Sequence, residues 1–210
     1  MTEYELQSLA LQKVNLWIGG IYSIFTIIIA AGAIWGERIR QIWASPKLHL
    51  SLDEPNLTSH QGIDRKGWYY QLRIQNKKKR AAANNVRVLL FKVMKKGPDG
   101  EYHEQKFSGP TQVTWKFPVN TPQFLTVGYQ YEHATFGKIV DGSDSFELSL
   151  YLLPLNLNWK IAKNDPTRLA FKAIADNGES DTLTLELSWD GTWTEGRDEM
   201  AKHLIVKKID

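Results

Sequence analysis

The sequence predicts a mainly β protein: an antiparallel β-sandwich of about seven to nine strands, preceded by one transmembrane α-helix and ending in a short helix. Three observations carry that prediction. Residues 14–36 hold no Asp, Glu, Lys, Arg or His, the chain after Pro46 alternates apolar and polar residues in repeated short runs, and Gly, Pro, Asn and Asp separate those runs. No βαβ alternation and no long amphipathic stretch interrupts the alternation, so the strands are expected to pair antiparallel in two layers.

The helix comes first. Its 23 uncharged residues lie between Lys13 and Glu37. As a helix they reach about 34 Å, enough for a hydrocarbon core of about 30 Å. Trp17 and Tyr22 stand toward one end and Trp35 and Trp43 toward the other, where amphipathic rings favour the interface. A soluble core helix of this length would normally show a polar stripe. Ala31-Gly32-Ala33 resembles a signal-peptidase site, but the preceding segment carries Glu3 and Glu5 against Lys13 alone, and the apolar run continues past the cut. An uncleaved anchor is the expectation. The chain then divides into a tail (1–13), the span (14–36), a juxtamembrane linker (37–46) and a soluble domain (47–210). Arg38, Arg40 and Lys47 follow the span and only Lys13 precedes it, which places the C-terminal domain in the cytoplasm and the N-terminus outside. Gly19-x-x-x-Ser23 and Gly32-x-x-x-Gly36 let helix backbones approach, so a homo-oligomer through the span is expected.

Each strand expectation rests on period two. Leu48, Leu50 and Leu52 share a face, as do Trp68, Tyr70, Leu72 and Ile74. Val113, Trp115, Phe117 and Val119 form a third set, and Phe146, Leu148, Leu150 and Leu152 a fourth. Leu169, Phe171, Ala173 and Ala175 follow, then Leu183, Leu185, Leu187 and Trp189. "VRVLLFKVM", residues 86–94, is apolar on both faces in its middle and is expected to lie centrally. Turns are expected at Gly97-Pro98-Asp99-Gly100, Asp141-Gly142, Asn177-Gly178 and Asp190-Gly191. Near the C-terminus, Thr192-Trp193-Thr194-Glu195 reads as a capping box opening a short helix, with Asp198 and Lys202 spaced as an ion pair and Met200 and Leu204 turned to the core.

"YYQLRIQNKKKRAAANNVRVLLFKV", residues 69–93, resembles the strand, Asn, small-residue loop, Asn-Val, strand signature of bacterial immunoglobulin-like domains of the adhesion type. Asn76, Ala83, Asn85 and Val86 occupy the matching places, and "KKKR" stands where those domains have glycine. The tail "LSWDGTWTEGRDEMAKHLIV" is similar to the end of uncharacterised bacterial proteins with one membrane helix and such a domain. The resemblance implies an immunoglobulin-like sandwich that binds something, at a bacterial inner membrane, and implies no reaction.

Chemistry-bearing motifs are few. The chain has no cysteine, which removes disulfides, thiolate metal sites and cysteine nucleophiles. Net charge is +3, too balanced to imply nucleic acid. His49, His60, His103, His133 and His203 lack ligand spacing, so isolated surface histidines are expected rather than a metal site. Asp141, Asp144 and Glu147 beside Gly142-Ser143 read as a polar turn rather than a calcium loop. No nucleophile elbow, phosphate loop or dinucleotide fingerprint occurs, so no catalytic residue and no cofactor is expected.

The unusual charge feature is Lys77, Lys78, Lys79 and Arg80, with Arg87 in the next strand. A solvated loop is one reading. Binding of an anionic lipid or a nucleotide is the other, with Trp68, Tyr69 or Tyr70 available for stacking. The functional expectation is a membrane-anchored, non-enzymatic binding module whose cytoplasmic sandwich engages a protein partner. The alternative is a ligand-gated effector of antiviral signalling that binds a nucleotide messenger and acts through clustered membrane helices. An anchored enzyme is the least supported of the three.

Overall fold

In the computed structural model, residues 3–59, 65–78, 80–116 and 122–209 are described. The chain divides into two units, Met1–Ala44 and Ser45–Asp210. The first is one helix, α1, Glu3–Ala44, of 42 residues. Its stretch Lys13–Gly36 is long and apolar enough to cross a membrane, and none of its side chains is buried by the protein. That exposure is unlike a soluble core helix. The tail and linker expected on either side are themselves helical from Glu3 to Ala44. No breaker interrupts the chain until Pro46, which lacks an N–H and disfavours helix in the residue before it.

The second unit is built from β1 (Leu48–Leu52), β2 (Asn56–Ser59), β3 (Lys66–Asn76), β4 (Ala83–Lys96), β5 (Tyr102–Glu104), β6 (Thr111–Gln112), β7 (Thr114–Trp115) and β8 (Leu125–Val127). It continues through β9 (Tyr131–Val140), β10 (Ser145–Leu148), β11 (Lys160–Ala162), β12 (Thr167–Ala175), β13 (Gly178–Glu179), β14 (Leu183–Trp189), α2 (Arg197–His203) and β15 (Leu204–Ile209). Nine of these strands are four residues or longer. The strands form two antiparallel sheets, one with the main order β1-β3-β9-β10-β11 and the other β15-β14-β12-β4-β5. Shorter strands pair along β3, β4, β9 and β12.

Period two decides what is buried. Trp68, Tyr70, Leu72 and Ile74 of β3, Leu169, Phe171 and Ala173 of β12, and Leu183, Leu185, Leu187 and Trp189 of β14 all enter one core. Phe136 of the first sheet meets Phe171 of the second with ring centroids 5.4 Å apart, so the layers touch through aromatic rings. The four expected turns form, with Gly100, Gly142 and Gly191 at positive φ that glycine adopts without steric cost.

Local pattern misleads at the strand set ending in Leu152, at the capping box and at the Asp198–Lys202 pair. The set through Leu152 is not one strand: β10 stops at Leu148, and Leu152 is 72 % exposed. In the 113–119 set, Val113 and Trp115 are buried, but Phe117 and Val119 lie outside the described residues. The capping box does not form either. Gly196 is the N-cap of α2, without a side-chain cap, and Glu195 instead accepts from Lys66 Nζ at 2.7 Å. Lys202 lies 3.8 Å from Glu199 rather than pairing with Asp198. Met200 and Leu204 do reach the core, and the chain then adds β15 to the edge of the second sheet.

Gly137 of β9 marks the tightest packing. A Cβ there would overlap the Phe146 ring, itself fully buried and held edge-on to Tyr70 at 5.6 Å. Gly137→Ala should therefore destabilise the domain by about 1–3 kcal/mol through overpacking. Phe146→Leu should cost less in that background than in the parent protein. Urea unfolding of the four chains, followed by tryptophan fluorescence, measures the coupling; additive effects would mean the ring has room to move.

Candidate functional site

The basic loop joins β3 to β4, and the register fixes where it sits. Leu48 pairs with Asn76, so the loop lies beside the start of β1, where the chain enters the domain. Asn76 organises that corner. It is buried, its Oδ1 accepts the Lys47 N–H at 3.0 Å, and its Nδ2 donates to the Ala81 carbonyl at 2.7 Å. The Lys77 N–H donates to the Lys47 carbonyl at 3.0 Å, and the Arg80 N–H to the Lys77 carbonyl at 3.3 Å. From the other sheet, Asn177 Nδ2 donates to the Ala82 carbonyl at 3.0 Å. Bonds from both sheets therefore tie the described ends of the loop to the domain.

Lys77 and Lys78 are exposed, Arg80 is half-buried, and Lys79 lies outside the described residues. Arg87 stands apart from them: it lies on β4 with its guanidinium 5.3 Å from the Phe124 ring centre. The structure thus keeps Lys77, Lys78 and Arg80 together and separates Arg87. The aromatic residues considered for stacking are not beside the loop. Trp68 and Tyr70 are core residues, and Tyr69 lies along β3 near Lys138 of β9. Of the signature residues, Ala83 and Val86 are fully buried, and Asn85, at φ +52°, donates to Asp176 at 2.5 Å. Their roles are structural.

On α1, the Ser23 hydroxyl donates to the Gly19 carbonyl at 3.0 Å. A Cβ added at Gly19, Gly32 or Gly36 would meet nothing within 4 Å, so these faces are open.

A second feature escaped the sequence pattern. In the segment 151–155, Leu152, Leu153 and Leu155 are 72, 60 and 76 % exposed. Yet their backbone is pinned: the Tyr151 N–H donates to Gln112 at 2.7 Å, Thr111 Oγ1 donates to the Leu152 carbonyl at 2.8 Å, and the Leu155 N–H donates to Ser108 Oγ at 3.0 Å. Leu157 is buried beneath. Pro154 inside an otherwise apolar run was the available signal that the strand had ended. Leu153 also lines a cavity of about 720 Å³ on the outer face of the first sheet, with Leu150, Trp115, Trp159, Gln71 and Lys138.

Three histidines pair with aspartates: His103 with Asp99, His133 with Asp53 and His203 with Asp190. Burial works to raise the Asp53 pKa, but the Glu54 N–H, Arg73 and His133 outweigh it and hold the carboxyl below its ordinary value. His60 lies outside the described residues, and among those described no three His, Asp or Glu side chains gather as a metal site. Asp141 and Gly142 make a turn, and Glu147 faces Lys138 at 3.8 Å and Lys160 at 3.5 Å.

The most displaced carboxyl is Glu186 on β14. It accepts from Arg168 Nε at 2.9 Å and pairs with Lys207 Nζ at 2.9 Å, tying β12, β14 and β15 together. Burial works to raise its pKa, but bonds from Lys207, Arg168 and Tyr102 hold it at about 2 against an ordinary 4.5. It braces a sheet. No protein-family model matches this chain, and no curated protein matches it either.

Because the folded pKa of Glu186 lies below the unfolded one, its contribution is complete above about pH 4.5 and is lost as the pH falls toward 2. Glu186→Gln should cost about 1–3 kcal/mol at neutral pH and flatten the decline across that window. Urea titrations at stepped pH read this directly, and an acid limb identical to the parent's would show that the network adds nothing.

Proposed function

We propose that the chain is a membrane-anchored, non-enzymatic binding module: α1 spans a bacterial inner membrane, and an immunoglobulin-like domain on its cytoplasmic side engages a protein partner. The observation that supports the partner is the pinned apolar segment 151–155. Exposed leucines on a fixed backbone lose little conformational entropy on docking, and apolar patches of this kind mark interaction sites. The neighbouring cavity, sharing Leu153, supplies a recess for a partner side chain.

Replacing Leu152, Leu153 and Leu155 by Ser should leave folding nearly intact, since exposed substitutions change stability by less than about 0.5 kcal/mol each. A photo-crosslinking residue at Asn156 should give one discrete adduct in intact cells, and the triple variant should lose it. An adduct pattern shared with a crosslinker at Asp144 would contradict the docking role.

Self-association of the anchor is the second part of the proposal. It is supported by the open glycine faces, since small residues allow the close backbone approach that helix pairs use in lipid. Gly32→Ile with Gly36→Ile should reduce crosslinked dimer in membranes several-fold. Unchanged crosslinking would move any oligomer contact to the β-domain.

A further inference from the structure

We propose that the corner of the β-domain where the chain enters is a docking surface for the acidic phospholipid headgroups of the membrane that anchors it. Four observations converge. Lys47, Lys77 and Lys78 are exposed there, with Arg80 one turn further on. The Lys77 backbone is bonded to Lys47, so the cations belong to the entry corner and not to the far end of the sheet. The β3–β9 register sets Gln75 opposite Tyr131, which brings Tyr131 and Tyr129, 53 and 66 % exposed, to the same end. Tyrosines beside lysines are the residue types that settle at the headgroup level. Asp176, an acid at this end, accepts from Asn85 Nδ2 and keeps its charge, so the cations of the corner outnumber it without cancelling it.

The fourth observation is chain length. Lys47 lies eleven residues beyond Gly36, the last residue of the apolar stretch. Helix continues to Ala44, a rise of about 12 Å, and three further residues add at most about 10 Å. Lys77 is therefore tethered within about 25 Å of the hydrocarbon edge, and headgroups fill roughly 5–7 Å of that distance. At such range, effective concentration makes a weak electrostatic contact sufficient, provided that the surface is acidic and the salt moderate. Asn76 and Asn177 bond the Ala81 and Ala82 carbonyls, so this end of the loop is already tied down before docking. A soluble polyanion would gain nothing from the tether, which favours lipid over nucleic acid.

The surface goes beyond partner binding and rests on the reading of α1 as a membrane span. The absence of cysteine makes the test clean. Full-length protein carrying a single fluorophore at Gln130→Cys, or at Asp144→Cys at the opposite end of β9, is placed in nanodiscs holding a headgroup quencher. The lipid is phosphatidylcholine alone or mixed roughly three to one with phosphatidylglycerol. Quenching at position 130 should rise at least about twofold in the acidic mixture and fall back at high salt, whereas the label at 144 should not respond. Lys77→Ser with Lys78→Ser and Arg80→Ser should reduce the acidic response to the neutral level. If that variant loses its folded tryptophan spectrum, the lipid and salt arms of the parent protein decide alone. Equal quenching in both lipids, or stronger quenching at 144, overturns the proposal. So does a label that stays unquenched in acidic discs yet responds to an added single-stranded oligonucleotide. Failure to enter nanodiscs at all sinks the span itself, a result distinguishable from the others by co-elution.

Discussion

Thirteen large apolar or aromatic side chains between Val14 and Trp35 have no protein around them, and everything else in this account depends on what covers them. Burying one aliphatic or aromatic side chain is favourable by about 1.5–3 kcal/mol. Exposing the set to water would cost on the order of tens of kcal/mol, more than the 5–15 kcal/mol by which a typical domain is stable. The helix therefore demands an apolar surrounding that the described β-domain does not supply. A bilayer has the right thickness for it, and under the proposed self-association a second copy of the span would cover part of it.

The β-domain depends on a smaller interaction, the two hydrogen bonds of the Asn76 side chain. One holds Lys47 at the start of β1, and the other closes the loop at Ala81 before the chain crosses into the second sheet. This buried amide thus ties the chain's entry at Lys47 to the loop that leads into the second sheet. An aliphatic residue there would leave the Lys47 N–H and the Ala81 carbonyl without this partner. Beside this amide, Lys77 and Lys78 are exposed to solvent.

Much of the fold was legible because alternation reports burial directly. In β3, β12 and β14 the side chains chosen by period two are the ones that enter the core, and the uncharged run became the exposed part of α1. What was not legible depends on partners distant in sequence. Glu195 forsakes its local cap for Lys66, 129 residues away. Asp53 gathers Arg73 and His133, and nothing near any of the three announces it. The candidate surfaces divide the same way. The run of cations was visible, but its place at the entry corner follows only from the β1–β3 register. Segment 151–155 looked like the end of a buried strand, because hydrophobicity alone does not say which apolar residues lack a covering layer.

The central claim is that α1 holds the chain in a bilayer as an uncleaved anchor, and alkaline carbonate treatment of membranes from cells making the full-length protein tests it most directly. Carbonate releases peripheral proteins and leaves spanning helices in place. The full-length chain should stay with the lipid pellet. Release into the supernatant, or recovery of a shortened soluble chain beginning at Ile34, would contradict it.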